Sequence, residues 1–387
     1  MKLKLKSKNK TGRPVLPGNR RVSFLNDLRA RAGSSQASRA VAAMLGLAGP
    51  LVVGAMTDHL QAGMAASLGG LVLGGEGKGE TPGEQAPGLI YALAAGSAAM
   101  LTGSALTGHA RAAAFGIPFL AAAAGLIGSI SRPLARATTQ YILYTIIAAN
   151  LAAQGTQPLG VMLMFLQGAC WTAALFLVLR PLFKVMGRSS HPAIPKNTVQ
   201  LHKYTAKQRL RRWRKSLARL SGWQYVVRIS SCLAAAAIFE WILPLHHGYW
   251  VSVTVVIVVQ RNLQTAAARA FHRAAGTVLG VLLISLLLLA SPPVWALLLI
   301  IAALAAARPI LLETNYTAYA AVMTPLVILL LDFGQDPSWA DIVDRLVATL
   351  AGCGLALTLG YLGWSRLSPP AHASFQSKAA AAPQIVK

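Results

Sequence analysis

The sequence predicts an all-α polytopic membrane protein: two parallel six-helix repeats, about 12 membrane segments, the second of each repeat short. Three observations carry this. First, 55% of the 387 residues are hydrophobic, mean hydropathy is +0.53 and only 12% are charged, about half the charged share usual in a soluble domain. Second, several apolar runs reach the roughly 18 residues that a helix needs to cross a bilayer. Third, the 36 Lys and Arg are concentrated, ten in residues 1–31 and twelve between Arg180 and Arg219. In a soluble chain a net charge of +25 would suggest nucleic acid. Beside apolar spans, basic blocks are what cytoplasmic retention and anionic lipid head groups select for, so lipid is the expected partner and nucleic acid is not.

In chain order, residues 1–37 form a basic cytoplasmic arm with a short amphipathic stretch at 20–33. The Lys-rich start (Lys2 to Lys10) stands too far from the first apolar run to read as a secretory signal. Residues 38–181 form the first membrane repeat, with apolar segments at 38–56, 63–74, 88–107, 110–130, 135–153 and 158–181. A basic linker, 182–224, carries a second amphipathic stretch at 209–222. The second repeat, 225–364, has segments at 225–245, 248–260, 272–290, 293–308, 316–331 and 342–364, and a cytoplasmic tail follows at 365–387. The two sets align at a nearly constant offset: Arg39 falls on Arg228, Gly33 on Gly222 and Gly168 on Gly352, a pattern of duplication. Lys and Arg in the short loops put the N- and C-termini in the cytoplasm. Both basic blocks share a side only if each half crosses an even number of times, which makes the repeats parallel.

Segments 63–74 and 248–260 are too short to span the ~30 Å hydrocarbon core as helices. The first is Gly-rich; the second, Val251 to Val259, is almost wholly β-branched and would read as a strand in water. An unpaired strand cannot cross lipid, so a short helix shielded by neighbours is expected. Short segments at matching positions in two halves mark the binding region of many transporters. Gln61 lies in the polar entry to the first, and His246, His247, Tyr249 and Trp250 in the entry to the second. Gln260 ends the second. Beyond it Arg269 and Arg273 share a helical face, followed by Gly276, Thr277 and Gly280, small residues that let helices approach. Such a rim suits capture of a cytosolic anion, or serves only topology and lipid contact. Arg39 and Arg228, at the starts of the first spans, either bind anions or snorkel to the head groups.

Glu240 is the clearest ionisable residue inside a span. A carboxyl there loses part of its hydration and is a candidate proton carrier, with His246 or His247; the alternative is an interfacial pair with one of those histidines. Gln140, Tyr141, Tyr144 and Asn150, and their counterparts Asn315, Tyr316, Thr317 and Tyr319, could line a pocket for an aromatic ring or simply bond helix to helix. Leu210, Trp213, Leu217 and Leu220 fall on one face of the linker's amphipathic stretch, which should lie flat in the cytoplasmic head-group layer. The spacing of Cys170, Cys232 and Cys353 suits packing and neither a disulfide nor a metal site. Gly74-Gly75-Glu76-Gly77-Lys78-Gly79 lacks the Ser or Thr of a phosphate loop. No catalytic constellation and no cofactor site is expected, and a membrane enzyme or assembly subunit is the least favoured class.

Tyr249-Trp250, the β-branched run to Gln260, Thr265, and the string Arg269-x3-Arg273-x2-Gly276-Thr277-x2-Gly280 resemble the signature of the fusaric acid resistance protein-like family, as does Asp344-Arg345 with Gly352. That family includes the bacterial aromatic acid exporters and is related to plant aluminium-activated malate channels. The resemblance implies proton-driven export of small, often aromatic, carboxylic acids across a bacterial inner membrane, with a passive organic-anion channel as the alternative. The related channels imply a homodimer. The residue match runs from about 228 to 364. The matching inner loop of the first half, Glu76 to Glu84, lacks the arginines, so any intake rim is expected mainly from the second half.

Overall fold

The computed structural model describes residues 34–73, 82–151, 157–186, 206–218, 220–245, 247–262, 266–289, 292–331 and 339–365. The expectations for the arm before Ser34, the loop around Glu76, Thr265, His246 and the tail lie outside them. A first set of helices comprises α1 (Ser34–Met56), α2 (Leu60–Leu73), α3 (Pro82–Leu106), α4 (Ala110–Gly128), α5 (Arg132–Leu151) and α6 (Pro158–Met186). After α7 (Ala206–Leu217), a second set comprises α8 (Leu220–Ile242), α9 (Tyr249–Val258), α10 (Ala266–Leu289), α11 (Val294–Thr314), α12 (Tyr316–Leu331) and α13 (Trp339–Leu357). A π-helical turn, Thr358–Leu362, carries α13 into a final turn, Gly363–Ser365. No strand occurs among the described residues. Among the described residues, eight helices are long and apolar enough to cross a membrane, while α2, α9 and α12 are apolar but shorter. The protein is an all-α polytopic membrane protein.

The two sets use the same neighbours. The second helix of each packs on the sixth (α2 on α6, α9 on α13), the third on the fifth (α3 on α5, α10 on α12) and the fourth on the fifth. Between sets, α1 packs on α11 and α8 on α4, so each first helix meets the other set's fourth. That reciprocity is the contact pattern of a two-fold relation between like units. Within the second set, Gly276 faces Thr317 and Ala320 while Gly280 faces Thr324 and Pro325, so α10 and α12 run parallel.

The β-branched run forms α9, with Val251, Val253, Val255, Val256 and Val258 all buried. Stiff β-branched side chains lower helix propensity only modestly, and without a strand partner the helix is the way to satisfy the backbone internally. In the first set small residues do the corresponding work. A Cβ on Gly168 would run into the Ala66 backbone, and one on Gly70 into the Gly46 carbonyl, so α1, α2 and α6 pack backbone to backbone. Large apolar side chains on the periphery, including Phe115, Phe119, Trp241, Phe271 and Trp295, are exposed, a surface that lipid rather than water would cover.

The linker helix α7 is shorter than its expected span. It ends at Leu217, and Leu220 begins α8, so Leu220 does not extend the Leu210–Trp213–Leu217 stripe. Trp213 turns toward the bundle, donating from Nε1 to the Leu126 carbonyl at the end of α4 (3.0 Å). Arg211, Arg212, Arg214 and Lys215 are exposed.

Candidate functional site

A cavity of about 640 Å³ lies between the two helix sets. Leu68, Leu71 and Val72 at the end of α2 and Ala135 to Ile147 along α5 wall one side. Trp250 to Ile257 of α9, then α10, α11, α12 and the start of α13 wall the other. At one end α5, α10 and α12 begin and α9 finishes, and there the lining residues Arg136, Arg261 and Asn262 are exposed. This end is the mouth.

Six arginines line the cavity: Arg136, Arg261, Arg269, Arg273, Arg308 and Arg345. Among the described residues, its lining has no Asp, Glu or His. Exposure falls away from the rim, to 7% at Arg273 and Arg308 and 3% at Arg345. Guanidinium groups stay charged at any pH a protein meets, so the interior is a fixed positive field in a low-dielectric setting. Three of the arginines rest on aromatic faces: Arg261 over Tyr225 at 4.3 Å, Arg269 over Tyr316 at 4.7 Å and Arg345 over Trp250 at 4.9 Å. Stacking holds the cation while leaving in-plane N–H groups for a carboxylate.

Two arginines also bond across the helix sets. Arg308 donates from Nη2 to the Leu71 carbonyl (2.7 Å), and Arg261 from Nη2 to the Gly125 carbonyl (3.0 Å). On the same lining, Arg273 Nε, Trp250 Nε1 and Thr277 Oγ1 are buried and make no hydrogen bond. Buried donors in a folded protein ordinarily have acceptors, so a cluster of them on one cavity is what an oxygen-rich ligand would complete. Tyr316 and Tyr319 stack with centroids 5.8 Å apart, adding aromatic surface to the walls.

Of the residues expected from sequence, Arg269, Arg273, Trp250, Gln260, Thr277 and Tyr316 line the cavity, as do Gln140, Tyr144 and Tyr319. Arg228, Arg39, Gln61, Tyr249 and Tyr141 are not on its lining. Arg228, 1% exposed, donates to the carbonyls of Gly360 and Gln260, so it locks α8 to the π-helical turn and to the end of α9. Tyr249 lies beside Trp250, the rings tilted with centroids 5.6 Å apart, and meets His247 edge-on at 6.2 Å. The Tyr141 hydroxyl pairs with Thr102 Oγ1 at 3.2 Å, a bond between α5 and α3. Gln61 is exposed at the start of α2, and Arg39 is half-buried in α1. Asn315 caps α12, its Oδ1 accepting from the Thr317 and Ala318 amides.

Glu240 stands off the cavity, near the end opposite the mouth, where it accepts a hydrogen bond from Ser252 Oγ of α9 (3.0 Å). Neighbouring turns of α9 carry the lining residues Trp250, Val253 and Val256. Three arginines of the lining, Arg136, Arg261 and Arg308, were legible only as loop charges that set topology, and Arg345 only through the Asp344-Arg345 pair of the resemblance. Arg136 belongs to α5, so the first set adds one arginine to a lining whose other five come from the second half. Among the described residues, no group of three or more His, Cys, Asp or Glu could hold a metal.

Fold and cavity together define a multi-span α-helical membrane protein with a cationic, aromatic-walled chamber between two helix sets. Residues 233–359 match the family described as fusaric acid resistance protein-like, the family that the Arg269-to-Gly280 string resembles. The matched stretch contains Trp250, Arg261, Arg269, Arg273, Arg308 and Arg345. A protein of Neisseria gonorrhoeae described as uncharacterized protein ORF2 is 41% identical over 63 residues, which cover 16% of this chain and 15% of that protein. No solved structure matches the chain significantly.

Proposed function

We propose that the protein exports small carboxylic acids, aromatic ones in particular, and that the cavity is the binding chamber in its inward-facing state. The observation that carries this reading is the pairing of arginine with aromatic surface on a lining without any carboxylate among the described residues. With the N-terminus in the cytoplasm, as the loop charges predict, the mouth opens to the cytosol. Arg136, Arg261 and Arg269 then concentrate anions at the rim, and Arg273 with Thr277 and Trp250 binds the carboxylate and ring deeper in. The family match within the second set supports transport in a bacterial inner membrane over catalysis.

Export against a gradient requires an energy source, and Glu240 is the proton carrier of this scheme. The Ser252 bond gives it a route to the chamber, because a change of protonation at Glu240 alters the anchoring of α9. The test is uptake of labelled 4-hydroxybenzoate into everted membrane vesicles with and without an uncoupler. Protein-dependent accumulation that the uncoupler abolishes is the expected result. Equilibration that ignores the uncoupler would instead identify a passive anion channel, and absence of any protein-dependent flux would overturn the reading for aromatic acids.

A further inference from the structure

Resting on the reading of the cavity as an organic-anion site, we propose that its preferred ligand carries two anionic ends, one held by Arg269 and Arg273 and the other by Arg308. α12 packs on both α10 and α11, and Arg273 and Arg308 reach the cavity from these two flanking helices. Both are 7% exposed. Arg308 bonds the neutral Leu71 carbonyl, and Arg273 Nε has no acceptor. Neither guanidinium can shed its proton, and a buried cation without a counter-charge is strongly disfavoured. Two separated buried cations, with Arg345 a third on the same lining, therefore favour a ligand with more than one negative charge.

The backbone positions that carry the two poles stand at different levels. Contacts of Gly276 with Thr317 and Ala320 place Arg273 near the level of Tyr316. The turn between α11 and α12 is the single residue Asn315, which places Arg308 near the level of Val322. At 1.5 Å rise per residue the two Cα levels differ by ~9 Å. The stacked rings of Tyr316 and Tyr319 occupy the interval. Tyr316 is within electrostatic reach of Arg269 and Arg273, and Tyr144 within reach of Arg308 and Tyr319. A rigid apolar or aromatic spacer with a carboxylate at each end matches this order of charge, ring surface and charge.

Terephthalate and 4-carbamoylbenzoate have nearly the same shape and differ by one charge, which makes them the probes. Calorimetric titration of the full chain in lipid nanodiscs should show terephthalate binding about tenfold tighter or more, a gap of ~1.4 kcal/mol. Arg308→Gln should remove that advantage, and Arg308→Lys should keep part of it. Equal affinities on the unaltered protein, or an advantage that survives Arg308→Gln, would overturn the two-ended ligand and leave the anion chamber standing. If neither compound binds, the reading of the cavity as a carboxylate site falls too. The comparison on the unaltered protein decides the matter even where an Arg308 variant fails to fold.

Discussion

The two helix sets share a packing plan and differ in what fills it. In the first, α1, α2 and α6 approach so closely that Gly70 and Gly168 leave no room for a methyl group. In the second, α9 presents a buried valine wall, and the helices around it supply Arg261, Arg269, Arg273, Arg308 and Arg345 to the cavity, against Arg136 alone from the first. At the offset that aligns Arg39 with Arg228, Glu240 falls on Leu51, which is fully buried. The shared packing plan is thus filled by closely packed small residues in one set and by charge in the other. Buried charge raises the cost of the second set, because it destabilises where it is uncompensated, and the backbone-close packing of the first provides a rigid wall against which that set can be held.

The largest expected effect tests the scaffold. Gly168→Ala forces a methyl group into the Ala66 backbone and should lower stability by roughly 3 kcal/mol. The aligned Gly352→Ala meets the Thr254 side chain and the Val251 carbonyl at 2.7 Å each and should cost less, about 1–2 kcal/mol. Gly354, with nothing within 4 Å of an added Cβ, should accept Ala silently. Thermal melting of the three purified variants gives the ranking, and equal melting points for Gly168→Ala and Gly354→Ala would break the distinction between the sets.

Arg273→Met should act in opposite directions on binding and stability. Removing the buried guanidinium should weaken carboxylate binding about 30-fold while stabilising the ligand-free protein by about 1–2 kcal/mol. Calorimetry and melting on the same preparation read both. Loss of stability without loss of binding would assign Arg273 to structure. Glu240→Gln comes next: it keeps the hydrogen bond to Ser252 in reach but removes the titrating group. Uptake into everted vesicles should continue down a concentration gradient and cease to respond to the pH gradient. Unchanged proton dependence would move coupling elsewhere.

Much of this architecture was legible in the chain. Helix positions followed from apolar length, and α9 was readable as a helix, despite its valines, from the rule that an isolated strand cannot cross lipid. Six of the proposed binding residues reach the lining because a binding face and a loop entry leave local marks: Arg269 and Arg273 at helical spacing, Trp250 and Gln260 at the ends of a short segment. Arg308 left no such mark, and Arg345 only that of its pair with Asp344 in the family resemblance. Each sits near the end of a span, where snorkelling, topology and inward burial look identical in sequence, and only the packing of α11 against α1 and of α13 against α9 decides the direction. Arg228 shows the converse: a promising charge whose Nε and Nη1 donors are taken by the Gly360 and Gln260 carbonyls, made available by the π-helical turn and the end of α9.

The smallest expected effect concerns the one arginine that the first set adds to the rim. Arg136 is exposed, and exposed charges act through a screened field, with a Debye length of about 10 Å at 0.1 M salt. Arg136→Gln should therefore slow initial uptake by about two- to threefold at low ionic strength, and the deficit should disappear as salt approaches 0.5 M. Equilibrium affinity should stay within a factor of about two, because a rim charge affects encounter more than residence. Arg269→Gln, whose guanidinium is half-buried over Tyr316, should by contrast keep its deficit at high salt. If the Arg136 deficit persisted there as well, the residue would be a direct ligand, and the first set would belong to the binding machinery as well as to its frame.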